Sequence, residues 1–253
     1  MSSMKIAIVT GASSGMGREM VYQLADRFGG LSEIWVIARR LERLNEFDGK
    51  LPLKVRKFAI DITNIDSLNI LKNELKVVRP NVKILVNAAG CGKYGNIGEL
   101  SSDDTSHMIR LNAEALTAVT ELVLPYISNN SRIIQFASAA AFVPQPGFAV
   151  YAATKSYVLS YSKALARELK SRNISVTAVC PGSVETEFFD YALNGKKLPA
   201  YKKAVISQPE IVVKHAIQDS FMGKTVSISG LVMKGFYILC KFLPHDLIMR
   251  FIK

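Results

Sequence analysis

Lys5-Ile6-Ala7-Ile8-Val9-Thr10-Gly11-Ala12-Ser13-Ser14-Gly15-Met16-Gly17 is the stretch on which the reading of this chain turns. Residues 5–9 form an apolar run of strand length, and from Gly15 onward the pattern takes a helical period. Between them Gly11, Ser13, Ser14, Gly15, Met16 and Gly17 make a turn. Its glycines permit a tight bend, let the backbone approach a pyrophosphate and allow close helix packing. The helix N-terminus adds N–H groups and positive potential, so the turn suits the phosphates of a dinucleotide. Ordinary loops use the same residues; the placement between a strand and a helix gives these their meaning.

The alternation then continues along the chain. Apolar runs at 4–9, 33–38, 53–60, 82–87, 131–137, 174–180 and 225–229 predict seven strands. Helical patterns lie near 15–28, 40–47, 64–79, 102–128, 149–172 and 208–221. Ser101 with Asp104, and Ser207 ahead of Pro209, read as helix starts. The fold expected is α/β: a Rossmann-type doubly wound parallel sheet of about seven strands with helices on both faces. A chain of 253 residues, nearly half of them apolar, accommodates one large core. Residues 1–230 are read as the domain, including a substrate lid at 186–206, and 231–253 as an amphipathic, basic C-terminal tail.

The first strand begins almost at Met1, which leaves no room for a signal peptide and predicts a cytoplasmic protein. Cys91, Cys180 and Cys240 are far apart, as are His107, His215 and His245, and none matches a metal or redox spacing; no metal site is expected. The net charge of +11 favours anionic partners. From Tyr191 onward there are ten Lys and Arg against three acids, so +7 of that charge lies there. No zinc-finger, RNP or helix-turn-helix pattern accompanies it, and nucleic acid is not expected.

At the end of the second expected strand, Val36-Ile37-Ala38-Arg39-Arg40 lacks the acid that would accept hydrogen bonds from the 2'-hydroxyl of NAD. Arg39 and Arg40 stand there instead. A guanidinium pairs with the 2'-phosphate of NADP through charge-assisted hydrogen bonds, whereas a carboxylate repels it. NADP is the cofactor expected.

With these pieces in place the chain resembles the short-chain dehydrogenase/reductase family, in its compact single-domain branch, over nearly its whole length to about residue 230. The resemblance rests on the turn from Thr10 to Gly17, Asp61-Ile62, Asn87-Ala88-Ala89-Gly90, Asn112, Ser138, Tyr151-xxx-Lys155, and Pro181-Gly182 with Thr186, all in family order. A second Tyr-xxx-Lys pair, Tyr237 and Lys241, lacks that context. The resemblance implies that Asp61 and Ile62 border the adenine and that Asn87, Ala88 and Gly90 line the ribose side of the cleft. It implies that Tyr151 and Lys155 stand beside the cofactor, Lys155 holding the nicotinamide ribose. Pro181, Gly182, Val184 and Thr186 would position the nicotinamide. The Cys91-Gly92 that follows and the long tail depart from the pattern.

The chemistry implied is interconversion of a carbonyl and an alcohol, with Tyr151 as general acid and base. A free phenol titrates near pKa ~10, and Lys155, one helical turn away, is placed to lower that value. Ser138 would donate to the substrate oxygen, and Asn112 would help hold a water linking Lys155 to solvent. Ala139, Ala140, Phe142, Val143 and Phe148, with Cys91, Tyr94, Phe188 and Phe189, form an apolar wall suited to a lipophilic ketone, an aldehyde or a 3-oxoacyl thioester. Lys196, Lys197, Lys202 and Lys203, near Tyr191 and Tyr201, either meet an anionic handle of the substrate or serve solubility, and their segment is either a lid or a surface loop. Ala152, Ser156, Ser160 and Ala164 recur every four residues; the stripe either packs within the chain or joins a second copy, and a homodimer or homotetramer is expected. In the tail, Val232, Phe236, Leu239 and Leu243, then Leu247, Ile248, Phe251 and Ile252, form apolar faces. These lie on a membrane surface, cover the mouth of a lipophilic pocket, or pack on the domain or a second subunit. The rival functional readings are a catalytically idle dinucleotide-binding regulator and a membrane-surface interaction protein.

Overall fold

The computed structural model describes residues 4–193 and 206–250. Its strands are β1 (Lys5–Thr10), β2 (Glu33–Ala38), β3 (Lys54–Ala59), β4 (Asn81–Asn87), β5 (Ile127–Phe136), β6 (Ser175–Val179) and β7 (Val226–Ser227). They form one parallel sheet in the order β3-β2-β1-β4-β5-β6-β7. The helices are α1 (Gly15–Arg27), α2 (Leu41–Asn45), α3 (Ile65–Val78), α4 (Ser102–Ile109), α5 (Leu116–Val123), α6 (Ala149–Glu168), α7 (Glu187–Leu193), α8 (Pro209–Phe221), α9 (Leu231–Phe242) and α10 (His245–Met249).

Side chains alternate across a strand, and β1 uses that alternation to feed two cores. Ile6 and Ile8 pack with Leu71 and Leu75 of α3 and Val119 and Val123 of α5. Ala7 and Val9 pack on the other face with Met20 and Leu24 of α1 and Val213 and Ile217 of α8. Both faces of the central strands are therefore buried, and their sequences read as continuous apolar runs.

Four details depart from the sequence reading. The single helix expected at 102–128 is α4 and α5 joined by a π-helical turn at Arg110–Ala115. Strand β5 starts at Ile127, earlier than expected, and β7 keeps only two paired residues. Ser207 does not cap α8: its N–H donates to Ser183 and its carbonyl accepts from Glu185, so its backbone is committed to a bridge and Gln208 takes the cap position. Ser101 does cap α4, its hydroxyl accepting from the Asp104 amide at 3.1 Å.

The tail to residue 250 lies against the domain. Cys240 and Ile248 are buried among Ala137, Phe142, Val143, Val158 and Leu159. Phe142 brings Tyr237 to 4.8 Å and Phe236 to 6.3 Å between ring centroids, so the inward face of α9 carries Met233, Phe236, Tyr237 and Cys240. Of the stripe read from the sequence, Val232, Leu239 and Leu243 are exposed and Phe236 is not. Phe251 and Ile252 lie outside the described residues.

One buried charge anchors the sheet edge. Glu33, only 4% exposed, takes Lys54 Nζ at 2.9 Å, Arg56 Nε at 3.0 Å and Trp35 Nε1 at 3.0 Å. Burial alone would raise its pKa, but those three bonds outweigh it and hold the carboxyl below its ordinary range. A depressed folded-state pKa gives stability that is complete above the unfolded value and is lost as pH falls towards the folded one. Glu33→Gln is expected to cost about 1.5–3 kcal/mol at pH 7, the worth of a charged hydrogen bond. Urea melts of parent and variant should show that gap closing as pH falls below the carboxylate range; a gap independent of pH would refute the assignment.

Candidate active site

The glycine turn is held by close backbone approach. Gly11 has φ +67°, and a Cβ there would stand 2.6 Å from the Ala89 nitrogen; one on Gly17 would stand 2.2 Å from the Gly11 carbonyl oxygen. Thr10 Oγ1 accepts from the Ala89 N–H at 3.3 Å, tying the ends of β1 and β4. No acid occupies the first turn of α1, so the positive N-terminal potential faces the space above it.

That space is a cavity of ≈ 600 Å³ along the carboxyl ends of β1, β4, β5 and β6. Neighbours β2 and β4 leave β1 in opposite directions, and a cleft at such a switch of strand order is where open α/β sheets bind ligands. Gly11, Ser13, Ser14, Gly15, Met16 and Gly17 floor one end. Arg39, Arg40, Asp61 and Ile62 rim it. Burial would raise Asp61, but the Thr63 hydroxyl at 2.7 Å, the Thr63 amide and nearby Arg39 hold its pKa below the ordinary value. Arg40 reaches Ser13 Oγ at 3.3 Å and Glu187 at 3.4 Å, and Arg43 reaches the same carboxylate at 3.3 Å.

Ala88 and Gly90 line the cavity's middle, with Pro181, Gly182, Val184 and Thr186 facing them. Asn87 is not among the lining residues. It is buried, and its Nδ2 donates to Thr120 Oγ1 at 2.9 Å and Gln135 Oε1 at 3.0 Å, because strand alternation turns it below the cleft.

At the far end Ser138, Tyr151 and Lys155 converge from the end of β5 and one face of α6. Burial pushes the Tyr151 phenol up to about 12, the Ser138 hydroxyl hydrogen-bonded to it pulling the other way. Burial also lowers Lys155 to about 8. Its Nζ donates to the Phe136 carbonyl at 2.7 Å and lies 5.6 Å from the Tyr151 ring centroid. The phenol is thus raised where a lowered value was expected: lost hydration dominates, and the ammonium is aimed at Phe136. Asn112 sits in the π-helical turn, fully buried and outside the cavity lining. Its Oδ1 accepts from Cys91 N at 2.9 Å, and its Nδ2 donates to Cys91 O at 2.8 Å and Thr154 Oγ1 at 3.0 Å. These three bonds fix the Asn112 side chain to the Cys91 backbone and to α6. Cys91 itself is raised to about 11 by burial, which keeps its thiol protonated at neutral pH.

The wall here is aromatic. Tyr94 stacks on Phe148 at 3.9 Å, Phe148 on Tyr151 at 4.2 Å, and Phe188 closes from α7 at 5.5 Å. Ala139, Ala140, Cys91 and Phe189 complete the expected set. Phe142 and Val143 do not belong to it; they point away from the cavity and pack with Tyr237 and Cys240 in another core. Val232 and Phe236, tail residues for which covering a lipophilic pocket was one of the expected roles, line the cavity from α9, together with Met233, which the sequence reading did not name. A Cβ on Gly182 would meet Met233 Sδ at 2.9 Å, and no local pattern signals a contact between segments so far apart. Lys196, Lys197, Tyr201, Lys202 and Lys203 lie outside the described residues. Among the described residues no His, Cys, Asp and Glu side chains assemble as a metal-holding group.

The glycine cradle, the acid-free helix N-terminus and a cleft that reaches a buried lysine fit a nicotinamide dinucleotide. Comparison with known proteins agrees with this geometry. Residues 5–196 match the family model for short chain dehydrogenase. Nodulation protein G of Rhizobium sp. (strain N33) is 32% identical over 228 residues, covering 89% of this chain and 86% of that protein. The 3-oxoacyl-(acyl-carrier-protein) reductase of Thermotoga maritima is 29% identical over 184 residues, covering 72% and 75%. A short-chain dehydrogenase from Sphingobium yanoikuyae, solved in complex with NADPH, superposes with a TM-score of 0.80 at 25% identity, over 95% of this chain and 96% of that one. The chain belongs to the short chain dehydrogenase family of oxidoreductases.

Proposed function

We propose that this protein is an NADPH-dependent cytoplasmic reductase of lipophilic ketones or aldehydes, 3-oxoacyl thioesters among them. The carrying observation is one continuous cleft with arginines and a glycine cradle at one end and Ser138, Tyr151 and Lys155 inside an aromatic box at the other. Gly11 to Gly17 and the start of α1 would hold the phosphates, Arg39 and Arg40 the 2'-phosphate, and Lys155 with Pro181, Gly182, Val184 and Thr186 the nicotinamide end. Bound there, the cofactor supplies the hydride.

The chain's own residues supply the rest. Ser138 and Tyr151 direct O–H groups at the carbonyl oxygen, where charge develops in the transition state. A phenol raised to about 12 is protonated at neutral pH, so it enters the reduction as the acid. As its proton passes to the substrate oxygen, the positive charge of Lys155 offsets the phenolate left behind. Asn112 acts through the Cys91 backbone and is a positioning residue. The box of Tyr94, Phe148 and Phe188 excludes water and accepts an apolar substituent.

Turnover of a carbonyl panel with NADPH tests this reading, and no turnover with any member would favour the idle regulator. Tyr151→Phe is expected to lower kcat by about hundredfold or more, the usual worth of a general acid, with NADPH affinity by fluorescence titration kept. For the parent, kcat/KM for reduction should fall as pH rises through about 8, where Lys155 loses its proton. Near-normal turnover by Tyr151→Phe would remove the phenol from the mechanism.

Cofactor preference follows from the rim. Arg39→Ala and Arg40→Ala should each weaken NADPH about tenfold or more and leave NADH unchanged, since a charge-assisted hydrogen bond is worth roughly 1.5–3 kcal/mol. Glu187 competes with the 2'-phosphate for Arg40 and Arg43. Glu187→Gln should therefore tighten NADPH by about two- to fivefold, the scale of an exposed ion pair. Equal NADPH and NADH affinities in the parent would overturn the assignment.

On α6, Ser156, Ser160 and Ala164 are exposed at a spacing of four residues beside buried Ala152, a stripe along which a second helix can approach closely. A homodimer or homotetramer is expected by light scattering, and Ser160→Trp should split it; a monomeric parent would refute the contact.

A further inference from the structure

Helix α9 is apolar on both sides, and among the described residues only one side has a partner. Met233, Phe236, Tyr237 and Cys240 hold it to the domain, so it cannot roll over to hide the other. The outward stripe carries Leu231, Ile238 and Phe242, exposed by 85%, 55% and 81%. Seven and four residues separate them, which keeps them on one face. Val232 and Leu239 extend that face on one flank and are also exposed. On the opposite flank stand Lys234 and Lys241, likewise exposed. No acid occurs between Asp219 and Asp246. Val232 is exposed and also lines the cavity, so the outward apolar face meets the active-site cavity at that residue.

We infer that the outer face of α9 docks on an anionic lipid surface and sets the mouth of the cavity against the bilayer. Apolar residues beside lysines with no nearby acid are the pattern of a helix that lies in the interface and meets anionic headgroups. Twelve residues make a helix about 18 Å long, too short for the ~30 Å hydrocarbon core, and among the described residues no helix can cross a membrane. A second copy of the chain fits less well. A stable interface buries roughly 800 Å² per partner, whereas one helix ridge about 18 Å long and about 10 Å wide offers a fraction of that. Two like copies would also bring their lysines together, while a lipid surface neutralises them. The docking rests on the reductase reading only for the lipophilic compound that passes through the mouth.

The test is co-sedimentation of the full-length protein with vesicles of equimolar phosphatidylcholine and phosphatidylglycerol, against vesicles of phosphatidylcholine alone. At low salt the parent should partition to the anionic vesicles and leave them as salt rises. Lys234→Gln with Lys241→Gln should weaken that binding about thirtyfold, given roughly 1 kcal/mol per lysine at an anionic surface. Leu231→Ser, Ile238→Ser and Phe242→Ser together should abolish it. The lysine variant alters two exposed side chains, so it decides the matter even if the serine variant does not fold. Parent protein that stays in solution, or a lysine variant that binds like the parent, overturns the proposal. So does a serine variant that still binds vesicles but becomes a smaller species by light scattering, which would make the face a subunit contact. Carbonyl turnover is measured on the same samples without lipid: its absence sinks the reductase reading and leaves the partition result standing.

Discussion

At Gly11 the backbone of β1's end lies so close to Ala89 at the end of β4 that no side chain fits between them. The rest of the site depends on this approach. It presses the turn against the loop after β4, it lets α1 begin immediately with Gly17 against the Gly11 carbonyl, and it places that helix's N-terminus over the cleft. A parallel sheet buried on both faces gives that contact a rigid support. The two cores fed by alternate residues of β1 provide it.

The second organising effect is desolvation. Tyr151 and Lys155 are carried on one face of α6 into a space walled by Phe148, Phe188 and the end of β5, and burial acts on both in the direction of neutrality. The phenol keeps its proton, and the lysine stays near the point where its charge responds to the surroundings. The low-dielectric box that shifts these values also strengthens the attraction between Lys155 and any negative charge that later develops inside it. Cys91 at the same wall is silenced by the same burial. One physical cause thus selects which of the nearby titratable groups can act.

The tail helix α9 presents two different faces. Its inward face completes the core beside Phe142 and reaches the turn at Gly182 through Met233. Its outward face remains apolar at the rim of the entrance. Phe142 and Val143 serve as the seat for that helix, which is why they are withdrawn from the cavity wall where their nearness in sequence to Ser138 would put them.

The alternation of short apolar runs with helical periods determined the parallel sheet, because burial on both faces writes itself into every residue of a central strand. The glycine turn, the missing acid at Ala38 and the spacing of Tyr151 to Lys155 were legible for a similar reason: each is a local backbone or helix-face requirement. Other features depend on which distant surface a side chain meets. Asn87 and Asn112 were legible as members of a pattern, yet their partners, Thr120 with Gln135 and Cys91 with Thr154, arise from packing across the sheet and the π-helical turn. The inward face of α9 could not be read from its own sequence, because a helix with apolar residues on two faces has no unique stripe. Only the tertiary structure, by setting Phe142 and Gly182 opposite it, decided which side would be buried and which would face outward.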